Sequence, residues 1–332
     1  MKAMICKTQA SIATSPLEWT NVAEPQVGPG EVRVRVRVCA ICRTDLHVIE
    51  GDLEPRKRPI VPGHQVIGIV DQVGTGCHRF SCGSRIGIAW LRHTCGHCQF
   101  CLSGRENLCS ESAYTGWTAD GGYAEYAVVH EDFAYPIPEQ FSDLEASALL
   151  CSGIIGYRAL SRSQLPPGGS LAIYGFGSSA HVVAQIAKGR GSRIFVCTRG
   201  KRHQDLARQL GADWVGDAYD RPPKLCDSSI IFAPVGELVP VALAALARGG
   251  TLALAGIVMS DIPTLNYERH LFYEKNVHSV TSNTREDGKG LLREAATLGI
   301  KPRVTRYRLE DANRALSDLK ADKISGTGVL EI

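Results

Sequence analysis

The stretch from Cys42 to His64 combines a thiol and an imidazole on either side of a charged loop rich in proline. Thiolate sulfur and imidazole nitrogen are the ligands that zinc prefers in proteins. A catalytic zinc uses three protein ligands and keeps one position open for a substrate. The third ligand must come from elsewhere in the chain, and Cys151, in the apolar run 148–153, is the candidate. Cys42, His64 and Cys151 therefore predict a catalytic metal centre.

A second set of cysteines lies within a segment of about residues 93–110. The spacing C-x2-C-x2-C-x7-C is typical of four thiolates that surround one zinc, and here it comprises Cys95, Cys98, Cys101 and Cys109. Four protein ligands leave no position for a substrate, so this zinc would be structural. An iron–sulfur cluster is the alternative, and a disulfide framework is less favoured in a reducing compartment.

A glycine-rich turn follows the apolar strand predicted for residues 170–174, and helical periodicity and a second strand follow it. This order is the setting of a dinucleotide-binding fingerprint, in which Gly175 permits the turn, Gly177 admits a pyrophosphate and Ala180 allows close packing. We expect this backbone, with Ser178 and Ser179 at the helix N-terminus, to bind the cofactor phosphates. An ordinary Gly-rich turn of a βαβ unit is the alternative.

The residues after the second strand bear on the choice of cofactor. An NAD site usually carries an acid there, which binds the ribose 2′-hydroxyl. Residues 198–202 contain no acid but a hydroxyl and three cations, which suit a 2′-phosphate. We predict NADP(H), bound by Thr198, Arg199 and Arg202. NAD(H) beside a solvated basic turn is the alternative.

The strands expected around these sites divide into two kinds. Residues 32–38 alternate valine with arginine, as in a half-buried strand, and short strands with Gly-rich turns follow, which favours a small β-barrel-like domain. Cys39 continues the buried side of that strand, so it is expected to be a core residue, although Cys39 and Cys42 also fit a redox dithiol. Apolar strands at 230–233 and 251–255 extend a parallel sheet in the second half.

Composition limits the class of protein. A chain of 332 residues with 44% hydrophobic and 21% charged residues is typical of a soluble protein of two domains. A formal charge of +3, evenly spread, favours neither nucleic acid nor a membrane surface as a partner. We see no secretory leader and no apolar run of about 18 residues, and we expect a cytoplasmic protein.

Together the motifs resemble the zinc-dependent alcohol dehydrogenases of the medium-chain dehydrogenase/reductase superfamily. The resemblance rests on residues 42–47, 63–64, 120–126, the four-cysteine segment, Cys151 and the glycine-rich turn, and it covers essentially the whole chain. It implies an α/β protein with a GroES-like β-barrel-type catalytic domain at 1–151, a Rossmann domain with a doubly wound parallel sheet at 152–284, and a segment at 285–332 that returns to the first domain. It also implies two zinc ions per chain and a homodimer or homotetramer.

The resemblance assigns roles around the catalytic metal in hydride transfer between a small alcohol or aldehyde and a nicotinamide cofactor. Thr44 takes the hydroxyl proton and passes it towards His47, Asp45 orients His64, and Arg43 contacts the pyrophosphate. Each residue also has a plain reading when taken alone. Thr44 then fits a helix N-cap, Asp45 a helix N-terminal charge and His47 a surface histidine.

Other positions bear on substrate and activity. Trp90 and Trp117 match residues that line the substrate cleft in the family and would favour small or flat apolar substrates, unless they are core residues. Gln65 stands where the family usually has Glu, and Thr327 where relatives often have Arg. Two alternatives stay open: an NAD-dependent polyol or secondary alcohol dehydrogenase, and a non-catalytic zinc-structured nucleotide-binding protein, for which Gln65 is the only support.

Overall fold

The computed structural model describes every residue from Met1 to Ile332. The chain divides into two compact units. Unit 1 contains Met1–Cys151, Ser282–Ala296 and Pro302–Ile332, and unit 2 contains Ser152–Thr281 and Thr297–Lys301. The chain re-enters unit 1 at Ser282.

Seventeen strands and ten helices form these units. The strands are β1 (Lys2–Cys6), β2 (Leu17–Asn21), β3 (Glu31–Ala40), β4 (Val66–Val73), β5 (Arg85–Ile88), β6 (Leu91–His93), β7 (Ala113–Tyr114), β8 (Tyr126–His130), β9 (Ala134–Pro136), β10 (Ser170–Tyr174), β11 (Arg193–Cys197), β12 (Trp214–Gly216), β13 (Cys226–Ile231), β14 (Leu246–Leu254), β15 (Asn276–Ser279), β16 (Val304–Arg308) and β17 (Thr327–Glu331). The helices are α1 (Arg43–Glu50), α2 (Gln99–Leu102), α3 (Asp143–Ala148), α4 (Ile154–Arg162), α5 (Ser178–Gly189), α6 (Lys201–Gln209), α7 (Leu238–Ala244), α8 (Tyr267–His270), α9 (Arg285–Leu298) and α10 (Ala312–Lys320). Short 3₁₀ turns cover Ile12–Thr14, Glu106–Leu108, Glu131–Phe133 and Leu309–Asp311, and a π-helical turn covers Leu149–Gly153.

Unit 1 is built on a seven-stranded sheet in the order β16-β17-β3-β4-β5-β9, with β8 also paired to β3. All of its pairs are antiparallel except β16 with β17. In β3 every valine is buried, while Arg35 and Arg37 are exposed, which confirms the half-buried strand expected from the alternation. Cys39 is fully buried in the same core, as expected for a small apolar residue.

Unit 2 is built on a six-stranded parallel sheet in the order β12-β11-β10-β13-β14-β15. Counted along the chain from β10, this is the doubly wound order 3-2-1-4-5-6. All five residues of β10 are buried because helices cover both faces of a central parallel strand. The order reverses between β10 and β13, and the carboxyl ends of two such strands form the crevice where this architecture binds nucleotides.

Strand ends differ from the sequence expectation where a partner strand ends first. The residue pattern predicts a strand from Arg85 to Trp90, but β5 stops at Ile88, because Ile88 pairs with Val66, the first residue of β4. β13 stops at Ile231, before Ala233, because its partner Tyr174 is the last residue of β10. The length of a strand is therefore set by its pairing with other strands, which cannot be predicted from the residues of that strand alone.

The helices of this chain are too short or too polar to cross a lipid bilayer.

Candidate active site and metal centres

Cys42 occupies the N-cap position of α1. Its Sγ accepts a hydrogen bond from the Thr44 backbone N–H at 3.3 Å, and its own N–H donates to Asp45 Oδ2 at 2.8 Å. This reciprocal pair is a capping box in which a thiol takes the part usually played by a hydroxyl. The N-cap of α1 is therefore Cys42 and not Thr44, and the helix start holds the Cys42 sulfur in place.

His64 reaches Cys42 from the turn before β4. Its Nε2 lies 3.3 Å from Cys42 Sγ, and its Nδ1 donates to Asp45 Oδ1 at 2.9 Å. Gly63 has φ +95°, and a Cβ there would lie 2.3 Å from the Tyr123 ring, so only glycine fits at this approach. The Asp45 carboxylate thus places one oxygen on each of two candidate metal ligands and leaves Nε2 of His64 directed to the sulfur.

Cys151 completes the set from the π-helical turn Leu149–Gly153, where its Sγ lies 4.0 Å from Cys42 Sγ. A tetrahedral zinc with Zn–S bonds of about 2.3 Å separates two sulfur ligands by about 3.8 Å and a sulfur from a nitrogen by about 3.6 Å. The observed separations match this geometry, and the three ligand atoms form a possible metal site. Three ligands also leave the open position that catalysis requires.

Burial and charge set the protonation of this cluster. Burial works against a thiolate at Cys42, but its hydrogen bond with Cys151 and the charge of His64 hold the pKa of Cys42 well below its usual range. Burial also opposes a charged His64, yet Asp45 and Cys42 raise the pKa of His64 to about 10. The hydrogen bond to Cys42, with burial, holds the pKa of Cys151 well above its usual range. A metal cation that binds these three groups therefore displaces the protons held by His64 and Cys151.

The four cysteines around residue 100 also converge. Their sulfurs are 3.9 Å apart for Cys95 and Cys101, 3.6 Å for Cys98 and Cys101, and 3.6 Å for Cys109 and Cys95. Backbone N–H groups donate to two of the sulfurs, to Cys109 Sγ from Cys95 N and to Cys95 Sγ from Cys98 N, both at 3.4 Å. All twelve cysteines of the chain are free thiols, so the set is not a disulfide framework. It fits one tetrahedral metal ion with four protein ligands.

The residues predicted for proton transfer lie on α1. Thr44 is buried, and His47 follows one turn later with its Nδ1 2.7 Å from Asp52 Oδ2. Asp52 was missed by sequence reasoning. Its only sequence signal is Gly51, whose φ of +97° ends α1 and turns the following residue back towards His47. Arg43 is exposed at the start of α1.

The two tryptophans predicted for the substrate pocket are stacked on each other. Their rings are 5.8 Å apart with an interplanar angle of 9°, and Trp90 meets the His64 ring edge-on at 4.9 Å. Tyr114, which sequence reasoning missed, stacks on Trp90 at 5.0 Å. An aromatic wall therefore begins at a candidate metal ligand. Trp90 is buried, as expected for a core residue. Trp117 is half-buried, so part of its ring is exposed, as expected for a residue that lines a pocket.

The two departures from the family pattern are both buried. Neither polar atom of the Gln65 amide has a hydrogen-bond partner, although the side chain is fully buried directly after His64. A buried amide without partners costs free energy, so a further polar group beside His64 would satisfy it. Thr327 is buried at the start of β17.

In unit 2 the glycine-rich turn follows β10. Gly175 has φ +85°, and a Cβ there would lie 3.0 Å from Ala233 N, two residues beyond the end of β13. A Cβ at Gly177 would point into open space, which leaves a cradle in front of the N-terminus of α5, and Ala180 is fully buried behind it. Ser178 and Ser179 form the first turn of α5. The turn therefore has the shape that a pyrophosphate requires.

The predicted 2′-phosphate residues lie between β11 and α6. Thr198 is buried, and its Oγ1 accepts a hydrogen bond from Phe176 N at 3.2 Å, so its hydroxyl ties the end of β11 to the glycine-rich turn. Arg199, Lys201 and Arg202 are exposed, and the first turn of α6 contains no acid. The arginines thus place positive charge at the N-terminus of α6. The hydrogen bond from Phe176 N to Thr198 was not predicted from the sequence.

Comparison with known proteins agrees with both halves of this description. Residues 28–139 match the family "Alcohol dehydrogenase GroES-like domain", and residues 180–297 match "Zinc-binding dehydrogenase". The "Probable alcohol dehydrogenase AdhA" of Mycobacterium tuberculosis (strain CDC 1551 / Oshkosh) is 51% identical, and the alignment covers 100% of this chain and 97% of that protein. An "Alcohol dehydrogenase" of Geobacillus stearothermophilus is 35% identical over 96% of each chain.

A solved structure shows the same fold. The thermostable alcohol dehydrogenase from Pyrobaculum aerophilum, with cobalt and zinc bound, superposes with a TM-score of 0.91 at 26% identity, covering 100% of this chain and 99% of that one. The expected fold class, a GroES-like unit with a Rossmann unit, is confirmed. The 51% identity to AdhA over the full length, with the two family matches, shows that the chain belongs to the zinc-binding alcohol dehydrogenases of the medium-chain dehydrogenase/reductase superfamily.

Proposed function

We propose that this enzyme is a zinc-dependent, NADP(H)-preferring oxidoreductase that interconverts small or flat apolar alcohols and aldehydes. The observation that carries the proposal is the convergence of Cys42, His64 and Cys151 at separations that fit one tetrahedral ion with one position to spare. Bound there, zinc supplies Lewis-acid polarisation of the substrate oxygen.

Asp45 orients two of the three candidate zinc ligands, His64 and Cys42. Its two oxygens accept from the His64 ring and from the Cys42 backbone, so one buried carboxylate fixes both the tautomer of the imidazole and the start of α1. We assign Asp45 the role of orienting His64 rather than that of a proton acceptor, because both of its oxygens are already engaged.

Thr44 and His47 provide the route for the alcohol proton. A hydroxyl both accepts and donates, so the Thr44 side chain takes the substrate proton and releases another towards His47. Asp52 accepts the hydrogen of His47 Nδ1, which leaves Nε2 as the ring nitrogen that receives the proton. Loss of this proton accompanies transfer of hydride from the alcohol carbon to the nicotinamide.

The basic start of α6 supports a preference for NADP(H). Arg199, Lys201 and Arg202 stand where an NAD site would place an acid, and a 2′-phosphate there gains charge-assisted hydrogen bonds. The family resemblance supports Arg43 as a contact of the pyrophosphate in this proposal. The glycine cradle at Gly177 leaves the space that the phosphates need.

Cofactor choice is tested by kcat/KM with NADPH and NADH. We expect the ratio to favour NADPH by at least about tenfold, and Arg199→Ser to lower it by about 5- to 10-fold through KM. Arg208→Ser, at the other end of α6 and paired with Asp205, is the matched control. A preference for NADH in the wild type contradicts the assignment.

The aromatic wall supports flat apolar substrates. Trp90 begins the wall beside His64 and Trp117 continues it, so a planar carbon skeleton finds stacking area next to the metal position. We expect higher kcat/KM for aryl and unsaturated alcohols than for polyols, and a panel of the two classes with NADP⁺ tests this. Equal or better activity with polyols favours the polyol alternative.

Unit 2 carries a surface that suits a second copy of the chain. β15 ends its sheet with an unpaired edge, and large apolar side chains are exposed on this strand and in the chain segment that precedes it, among them Val277, Ile257, Tyr267 and Phe272. We propose a homo-oligomer formed through this edge. Analytical ultracentrifugation of Val277→Asp should show dissociation, with Val73→Asp in unit 1 as the control; an unchanged sedimentation coefficient contradicts it.

Metal counting tests the function as a whole. We expect two zinc ions per chain, and Cys42→Ser to lose one zinc and turnover while the four-cysteine site keeps the other. Cys82→Ser, an exposed thiol outside both sets, is the control and should leave both values unchanged. One zinc per chain in the wild type, or turnover retained by Cys42→Ser, supports a non-catalytic nucleotide-binding protein instead.

A further inference from the structure

The aromatic wall ends in an unpaired cation. The Arg56 guanidinium lies over the Trp117 ring, 5.6 Å from its centre, and Trp117 is stacked on Trp90, which contacts His64. The structure describes every carboxylate of the chain, and none forms an ion pair with Arg56. Arg56 is therefore an exposed charge held at a defined place without a partner of opposite sign.

The neighbouring cations of the same loop are engaged. Lys57 Nζ lies 2.6 Å from Asp120 Oδ1, and Arg58 Nη2 donates to Gln9 Oε1 at 3.2 Å. The Trp117 Nε1–H donates to the Glu54 backbone oxygen at 2.9 Å, which fastens the indole to this loop. Of three consecutive cations, only Arg56 has neither an ion pair nor a hydrogen bond to the chain, and the loop that carries it is fixed to the aromatic wall.

The contact with Trp117 leaves the hydrogen-bond donors of Arg56 available. It is a cation–π contact, in which the charge lies over the ring, and no N–H of Arg56 donates a hydrogen bond to another residue of the chain. A carboxylate matches two of these donors at once, with a geometry that an ammonium cannot provide. The site is thus complementary to a planar substrate that ends in an anionic group.

We propose that Arg56 is a specificity-determining residue that binds a carboxylate at the far end of the substrate, so that the preferred substrates are aromatic or unsaturated aldehydes and alcohols carrying a terminal carboxylate. The inference rests on the proposed function, since it places the reacting carbon at the Cys42–His64–Cys151 end of the wall. Arg56 acts in binding and takes no part in proton or hydride transfer.

The test compares acids with their neutral methyl esters. The probes are 4-formylbenzoate and the longer 4-carboxycinnamaldehyde, each beside its methyl ester, assayed with NADPH. In the wild type we expect kcat/KM for at least one acid to exceed that of its ester by about 3- to 10-fold, as befits one exposed charge-assisted pair. The difference should lie in KM and should shrink as the salt concentration rises.

Arg56→Gln should abolish the preference for the acid and leave kcat for the ester unchanged. Arg105→Gln is the matched control, because Arg105 is also an exposed arginine over an aromatic ring, 5.4 Å from Phe100 in the four-cysteine segment. It should keep the preference. If the wild type reduces the esters but prefers neither acid, the inference about Arg56 is wrong while the proposed dehydrogenase function stands. If Arg56→Gln still prefers the acid, the inference about Arg56 is also wrong.

A second arm separates substrate carboxylate from cofactor phosphate. If Arg56 binds the substrate, the KM for NADPH stays the same in Arg56→Gln. A raised KM for NADPH with unchanged discrimination between acid and ester would assign Arg56 to the cofactor and overturn the inference. Absence of turnover with every aldehyde in the wild type would instead remove the proposed function itself.

Discussion

Glu106 and Arg285 join two distant parts of unit 1, and removing this pair is a sharp test of how the four-cysteine segment is anchored. Glu106 lies between Cys101 and Cys109, and its carboxylate accepts from Arg285 N, Nε and Nη2 at 2.7 to 3.1 Å. Arg285 is the first residue of α9, where the chain has returned to unit 1. The pair therefore fastens the returning segment to the lobe that holds the second metal set.

The magnitude follows from burial. The Glu106 side chain is 10% exposed and that of Arg285 is 32% exposed. Breaking a fully buried pair by removing one partner costs about 3–5 kcal/mol, and the partial exposure of Arg285 lowers this to about 2–3 kcal/mol for Glu106→Gln. For a unit of this size that equals a fall in melting temperature of about 5–10 °C.

The assay is thermal and urea unfolding followed by tryptophan fluorescence. Trp19, Trp90 and Trp117 lie in unit 1 and report its transition, and zinc is kept in excess. Glu139→Gln, an exposed acid, is the control. Glu106→Leu combined with Arg285→Leu should destabilise less than Glu106→Gln alone, because no charge is left buried without a partner.

The pH dependence gives an independent check. Burial opposes ionisation of Glu106, but the hydrogen bonds and charge of Arg285 prevail and lower the pKa of Glu106 below its usual value. A lowered carboxyl pKa contributes stability that is complete above the value in the unfolded chain and is lost as the pH falls through the folded value. The stability difference between wild type and Glu106→Gln should therefore shrink in acid. Equal melting temperatures for Glu106→Gln and Glu139→Gln would refute the reasoning.

Three further changes test the site. Asp45→Asn should weaken zinc binding at the three-ligand site by about 10- to 100-fold, because His64 loses the acceptor that orients it; competition with a chelator measures this, and equal affinity contradicts it. Gly177→Val should leave the melting temperature within about 1 °C but raise the Kd for NADPH more than about tenfold, since the new side chain fills the open cradle; tight binding in a fluorescence titration would exclude the cradle. Gly63→Ala should destabilise unit 1 by about 3 kcal/mol, because φ is +95° and the Tyr123 ring blocks the Cβ; urea unfolding measures it, and a shift of less than about 0.5 kcal/mol would show that the turn relaxes freely.

Local sequence determined the features that depend on neighbours along the chain. Alternation over residues 32–38 predicts β3 because successive side chains of a strand point to opposite faces. The spacing of Cys95, Cys98, Cys101 and Cys109 predicts one tetrahedral site because a short loop brings all four together. The glycine-rich turn predicts its place between β10 and α5 because each glycine meets a local steric demand.

Only the tertiary structure decided which distant groups meet. Cys151 lies 109 residues from Cys42, yet the two Sγ atoms are 4.0 Å apart. Cys151 lies in a π-helical turn, which the hydrophobic periodicity of the sequence does not predict. Arg285 lies 179 residues from Glu106, and the guanidinium of Arg56 rests on an indole brought to it by another loop. Such contacts depend on how whole elements pack, and the side chains involved have the same local pattern whether or not they touch. The residue types set what chemistry is available, and packing set which of them share a site.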